Sequence, residues 1–179
     1  TTLDVIAGDA ITDSGTMAVS GAATFTTKKA GGAAITLDQS GVHGFSSVKA
    51  ETFTGDGTTP AAGAITIDEA SAMTIAGLTT TSTVSLTTTG AITDSGAIAA
   101  GAITIDTTRG GSAAARAVTI EGQTTNATSW DVSTTDGGIA IDEDSAMAIA
   151  GISTSGTLSL TTTGALTQSG AIGAGAVTV

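Results

Sequence analysis

Two acidic groups are where chemistry would have to start. Asp68-Glu69 and Asp142-Glu143-Asp144 set two and three carboxylates side by side, and hard oxygen donors of this kind suit Ca²⁺, which takes about six to eight of them. The glycine-rich nonapeptide of calcium-binding β-rolls is absent, so these acids are expected to be solvated turn residues. Glycoside hydrolysis would need a carboxylate pair at a set separation, and acids scattered along a chain with no other catalytic feature do not specify one. His43, in Ser40-Gly41-Val42-His43-Gly44-Phe45, is the single histidine, and with no Cys it has no metal partner in the sequence; a loop histidine is expected. Asn126-Ala127-Thr128 is a glycosylation sequon beside the single Trp130. The loop around that tryptophan is expected to cap an irregular coil with the ring partly buried. The only cations are Lys28-Lys29, Lys49, Arg109 and Arg116, all in irregular coils outside the regular triplets. They read as solvated turn residues or as partners for acidic turns of a neighbouring chain. The expectation is a non-enzyme without cofactor, and without catalytic, cofactor-binding or metal-binding residues.

The chain that must hold these groups has 179 residues, enough for one domain or one stretch of a repeat array. Five Lys and Arg against 16 Asp and Glu give a net charge of −11, which repels phosphate backbones and anionic lipid and so argues against nucleic-acid and membrane partners. No run approaches the length of about 18 apolar residues that a membrane span needs, and no basic segment leads into an apolar one. The chain starts Thr1-Thr2, so any export signal is expected to have been removed or to lie outside it. Charged residues are 12% and Pro60 is the single proline, unlike the composition of disordered chains.

The decisive feature is repetition. Gly63 to Ile105 aligns without gaps on Gly137 to Val179, a 74-residue internal repeat with about two thirds of positions identical. A shorter echo sets Asp9 to Gly15 on Gly90 to Gly96. Within the long repeat, apolar-x-apolar triplets recur at even intervals: Ile65/Ile67, Val84/Leu86 and Ile103/Ile105, then Ile139/Ile141, Leu158/Leu160 and Val177/Val179. Val118-Thr119-Ile120 falls between the two sets, and Leu3/Val5, Ala23/Phe25 and Val48 lead up to Ile65 at less even intervals. The predicted unit is a coil of about 19 residues, and the period of the long repeat then corresponds to four coils.

Alternation with period two inside each unit, with Gly, Asp or Ser at the breaks, predicts short strands with one buried face. Stacking these strands coil on coil gives an all-β parallel β-solenoid over residues 1–179. Ile, Val and Leu point into a narrow interior, and Thr, a good strand former, points out. Gly77 and Gly96, like Gly151 and Gly170, recur in register and are expected to serve turns with φ > 0. Asp68, Thr87 and Asp106 form one outward column, and Asp142 precedes Thr161, so that Thr keeps carboxylates off adjacent strands about 4.8 Å apart.

The blocks TTTGAITDSGAI and GAITID, set in Thr-rich coils without Cys, resemble the repeat regions of large bacterial surface proteins of the filamentous-haemagglutinin and haemagglutinin-repeat adhesin type. That resemblance implies a right-handed parallel β-helix serving as a secreted, cell-surface stalk with no active site. About nine coils would make a rod of roughly 45 Å. Val177-Thr178-Val179 stops where the earlier copy continues as Ile105-Asp106, so the expected partners are further lengths of the same chain or identical copies end to end, with a host glycan or protein as receptor. The rival expectation is an ice-binding or glycan-binding module. It would use the outward columns Thr66-Ser85-Thr104 and Ala140-Ser159-Thr178, helped by Thr87-Thr88-Thr89 and Thr161-Thr162-Thr163.

Overall fold

Alternation in the sequence becomes alternation about a wall. In the strand Ile65–Glu69, Ile65 and Ile67 are buried while Thr66 and Asp68 look outward, and the strand Val84–Thr88 repeats the pattern one coil on. The computed structural model describes residues 1–39, 43–109 and 116–179, and among them every regular element is a strand. All 18 described strands belong to one sheet. Their registers are parallel throughout, apart from an isolated antiparallel bridge between Phe53 and Pro60. The chain is a parallel β-solenoid.

Each coil bonds the next through its backbone, as when Ile65 N–H donates to Thr83 O at 3.0 Å and Ile92 N–H to Ala117 O at 2.9 Å. Inside, the apolar residues stack in columns. One runs Ile11, Ile35, Ile65, Val84, Ile103, Trp130, Ile149. A second runs Met73, Ile92, Val118, Ile139, Leu158 and Val177. A third runs Val5, Phe25, Ala50, Leu78 and Ile98. From Phe25 to Leu158 the buried members of these columns belong to one continuous core, in which each fully buried Ile or Leu contributes on the order of 1.5–3 kcal/mol.

The columns correct the expected bookkeeping of the repeat. Ile65 reaches Trp130 through Val84 and Ile103, in two even steps and a longer third one. Ile139 comes further along the chain, beside Val118 in the second column. The offset between the two copies is therefore three coils plus one face, not four coils. The second copy enters the solenoid one face further round than the first. Val118 accordingly does not bridge Ile103 to Ile139; Ile103 stacks on Trp130. Upstream, Leu3, Ala23 and Val48 do form one column, but Val48 continues to Ile75, whereas Ile65 follows Ile35. The physical reason is the lengthened coils, whose insertions change the residue count without changing the rise. Thr104→Cys paired with Asp131→Cys should form a disulfide under mild oxidation, and Thr104→Cys paired with Thr119→Cys should not; mass spectrometry of the oxidised variants checks both.

Two further expectations change. Val177 is 54% exposed, because among the described residues no coil packs over the strand Ala176–Thr178. Of the four repeated glycines, Gly77 alone is found with positive φ, at 152°. Gly96 and Gly170 are required by close approach between coils instead, since a Cβ there would overlap the carbonyl oxygen of Ala76 or Ala150.

Candidate functional site

The most chemically loaded side chains lie inside the wall. Glu69 continues the inward series Ile65, Ile67 at the same spacing of two and is fully buried, as is Glu143 after Ile139 and Ile141. Neither is the solvated turn acid expected from the sequence. Glu69 Oε2 accepts the Phe45 N–H at 2.9 Å and Oε1 accepts the Ser71 hydroxyl at 2.9 Å. Glu143 accepts the Ala127 N–H at 3.2 and 3.1 Å, the Trp130 indole N–H at 3.0 Å and the Ser145 hydroxyl at 2.8 Å. Each bonds an amide in a gap of the ladder between neighbouring coils: pairing is found from Ser47 onward, after Phe45, and from Trp130 onward, after Ala127. There they stand in for a ladder carbonyl, because a buried N–H left without an acceptor is costly. Burial pushes the Glu69 carboxyl above its ordinary range, against the opposite pull of the Phe45 N–H, Ser71 and His43.

His43 is not a loop residue; it is fully buried and bridges in parallel to Glu69. Residues 40–42 of the segment predicted as a break lie outside the described residues. The imidazole Nδ1 accepts the Met17 N–H at 3.1 Å. Nε2 lies 2.9 Å from Asp13 Oδ2, without the alignment of a hydrogen bond. Phe45 stacks on the ring at 5.5 Å and meets Phe25 edge-on at 5.8 Å. The Asp13 side chain, 3% exposed, also accepts the N–H groups of Asp38 at 3.3 Å and Gln39 at 3.2 Å. Asp13, His43 and Glu69 thus form a file across three successive coils.

Residues 1–51 and 136–179 match the family described as repeats of unknown function (DUF5649). The chain belongs to that family. No curated protein and no solved structure matches it. The match supports a repeat protein; it does not reach the filamentous-haemagglutinin type that the sequence resembles.

Buried threonines hold the corners of this DUF5649-repeat solenoid. Thr80 donates its hydroxyl to Ala61 O at 3.1 Å and Gly63 O at 2.6 Å and accepts the Ser82 N–H at 3.0 Å. Its counterpart in the second copy, Thr154, bonds Gly137 O and accepts the Gly156 N–H in the same way. Thr80→Val keeps the shape and removes these bonds, and should cost about 1–2 kcal/mol in a urea melt.

Most of the cations find partners within the chain. Lys29 pairs with the exposed Asp9 at 2.7 Å, and Lys49 with Glu51 at 3.0 Å and Arg109 with Asp68 nearer the wall, surface links that solvent screens. Arg116 is buried, with Nη1 donating to Thr107 O at 2.8 Å. Lys28 and Lys49 lie within strands, not at turns. Asp68 pairs with Thr87 and Thr87 with Asp106, and Asp142 pairs with Thr161, the spacing that keeps carboxylates apart. Asp144 is exposed and accepts the Thr125 N–H at 2.9 Å. Among the described residues no three His, Asp or Glu side chains converge on a metal position.

Trp130 is fully buried, in the strand Thr125–Ser133 and not in a loop. The sequon residues Asn126 and Thr128 are exposed on that strand, beside a shallow groove also lined by Pro60, Thr81 and Ala100. The two hydroxyl columns belong to different faces. Thr66, Ser85 and Thr104 follow Thr12 and Thr36, whereas Ala140, Ser159 and Thr178 follow Thr74, Thr93 and Thr119. The buried glutamates were detectable in the sequence from their spacing of two after an Ile-x-Ile triplet. Their partners, brought in by coils of irregular length, carried no local signal.

Proposed function

We propose that this chain is a rigid structural segment of an extracellular surface fibre or filament of the bacterial adhesin kind. The observation that carries this reading is the continuous interior, stacked residue on residue from Ile11 to Ile149 and bonded coil to coil by backbone. Such an object resists bending and stretching along its axis, because every interior coil is buttressed by both neighbours. The acidic, Thr-rich exterior and the largely paired cations suit a rod that stays dissolved in the presence of other anionic surfaces. In this role its partners are like lengths of solenoid along the axis and a glycan or protein on a facing surface. An ice- or glycan-binding module is the weaker reading, since a flat ligand touches one face while the hydroxyl columns of the two copies occupy different ones. Antibody raised against the chain should label fibres on intact cells of the source organism in electron microscopy, and the label should vanish on mild protease treatment of whole cells. Label confined to the cell interior would overturn the proposal.

A further inference from the structure

We infer that Asp13, His43 and Glu69 form an acid-sensitive latch that fastens the amino-terminal coils to the rest of the solenoid and has no counterpart in the second copy of the repeat. His43 Nδ1 is an acceptor, 3.1 Å from the Met17 nitrogen, so the neutral imidazole carries its proton on Nε2, toward Asp13. Adding a proton to Nδ1 sets two donors against each other at that distance, and the Met17 N–H loses its acceptor. Reorientation is opposed on both sides: Phe45 lies flat on the ring with an interplanar angle of 10°, and Nε2 already abuts the Asp13 carboxylate. The same junction is sewn by Gly44 N–H donating to Met17 O at 2.9 Å, and by Ala70 N–H donating to His43 O at 3.1 Å.

The charged groups facing the ring are Asp13 from the turn after the strand Ile11–Thr12 and Glu69 from the strand Ile65–Glu69; the uncharged polar neighbours of Glu69 are Ser71 and Thr88. Two carboxylates would hold an imidazolium in place by attraction. Asp13 meets the ring at Nε2, the nitrogen opposite the one that faces Met17, and burial works against charge on Glu69, so neither carboxylate relieves the donor clash at Nδ1, which is left to open the junction. Histidine is the side chain suited to this, because it changes charge between about pH 5 and 8. In the second copy Glu143 faces the Trp130 indole and the Ala127 N–H, neither of which titrates there. The molecule therefore contains its own control.

Amide exchange measured by NMR on the whole chain at pH 7.5 and 5.0, corrected for the intrinsic rate at each pH, tests the latch. Protection of the Met17 amide should fall at least tenfold at the lower pH, while the Ala127 amide and the Trp130 indole N–H keep theirs. His43→Gln cannot take up the proton and should abolish that difference. Should this variant fail to fold, ¹⁵N shifts of the wild-type imidazole report Nδ1 protonation directly, and the loss of Met17 protection must track them. Equal Met17 protection at both pH values, or equal losses around Glu69 and Glu143, would overturn the inference.

Discussion

Glu143→Leu is expected to lower the unfolding free energy by about 3–5 kcal/mol. The carboxylate is fully buried and receives three donors: the Ala127 N–H, the Trp130 indole N–H and the Ser145 hydroxyl. Ser145 can turn to water, being only partly buried. The other two donors cannot, since Trp130 is 0% exposed and Ala127 1%. Each orphaned buried donor costs about 1–3 kcal/mol, and leucine does not restore the lost acceptor. Glu143→Gln, which keeps one oxygen for these donors, should recover more than half of the loss. Trp130→Phe removes one donor at the price of a small cavity, and its cost should shrink when combined with Glu143→Leu, because the indole N–H is already unpaired there. Urea melts of the parent, the two single variants and the double variant give the cycle. A Glu143→Leu protein within about 1 kcal/mol of the parent would mean that the gap in the ladder at Ala127 does not need the carboxylate.

Much of this architecture was legible from the triplets alone. Ile65-x-Ile67, Val84-x-Leu86 and Ile103-x-Ile105 announced strands, their even spacing announced coils, and the registers connect those residues as expected. What stayed hidden was the angular position of the second copy. Sequence spacing counts residues, whereas stacking counts turns, and the two diverge wherever a coil carries an insertion. The lengthened coil between Ile103 and Trp130 is enough to carry the second copy onto another face. Trp130 occupies a slot that Ile or Val fills on neighbouring coils, so no triplet marked it. The buried polar file was hidden for a related reason: Asp13, His43 and Glu69 stand far apart in the chain at unequal intervals, and only coils of irregular length bring them into line. Glu69 and Glu143 are different. Their inward phase was written in the pattern, and the expectation that carboxylates belong outside overrode it.

Val84→Asp should be the most damaging single change in the first copy, costing more than about 4 kcal/mol out of the roughly 5–15 that holds a domain of this size together. Val84 is 1% exposed and stacks between Ile65 and Ile103, with Leu86 beside it on the same strand. These neighbours offer no hydrogen-bond partner. An ionised carboxylate there would be unpaired in an apolar interior, and a protonated one would still bury a polar group that nothing satisfies. The adjacent substitution, Ser85→Asp, reverses every term. Ser85 faces outward between Thr66 and Thr104, so its replacement meets water and hydroxyls, and a change within about 0.5 kcal/mol is expected. Because a solenoid is held coil to coil, the Val84 lesion should also divide it. Coils on either side keep their own stacked contacts but lose the shared one, so the thermal transition should broaden or split while Ser85→Asp retains a single sharp melt. Circular dichroism of the two variants reads both the loss and its shape. If Val84→Asp and Ser85→Asp melted alike, the inward and outward assignment of that strand, and with it the column from Ile11 to Ile149, would be wrong.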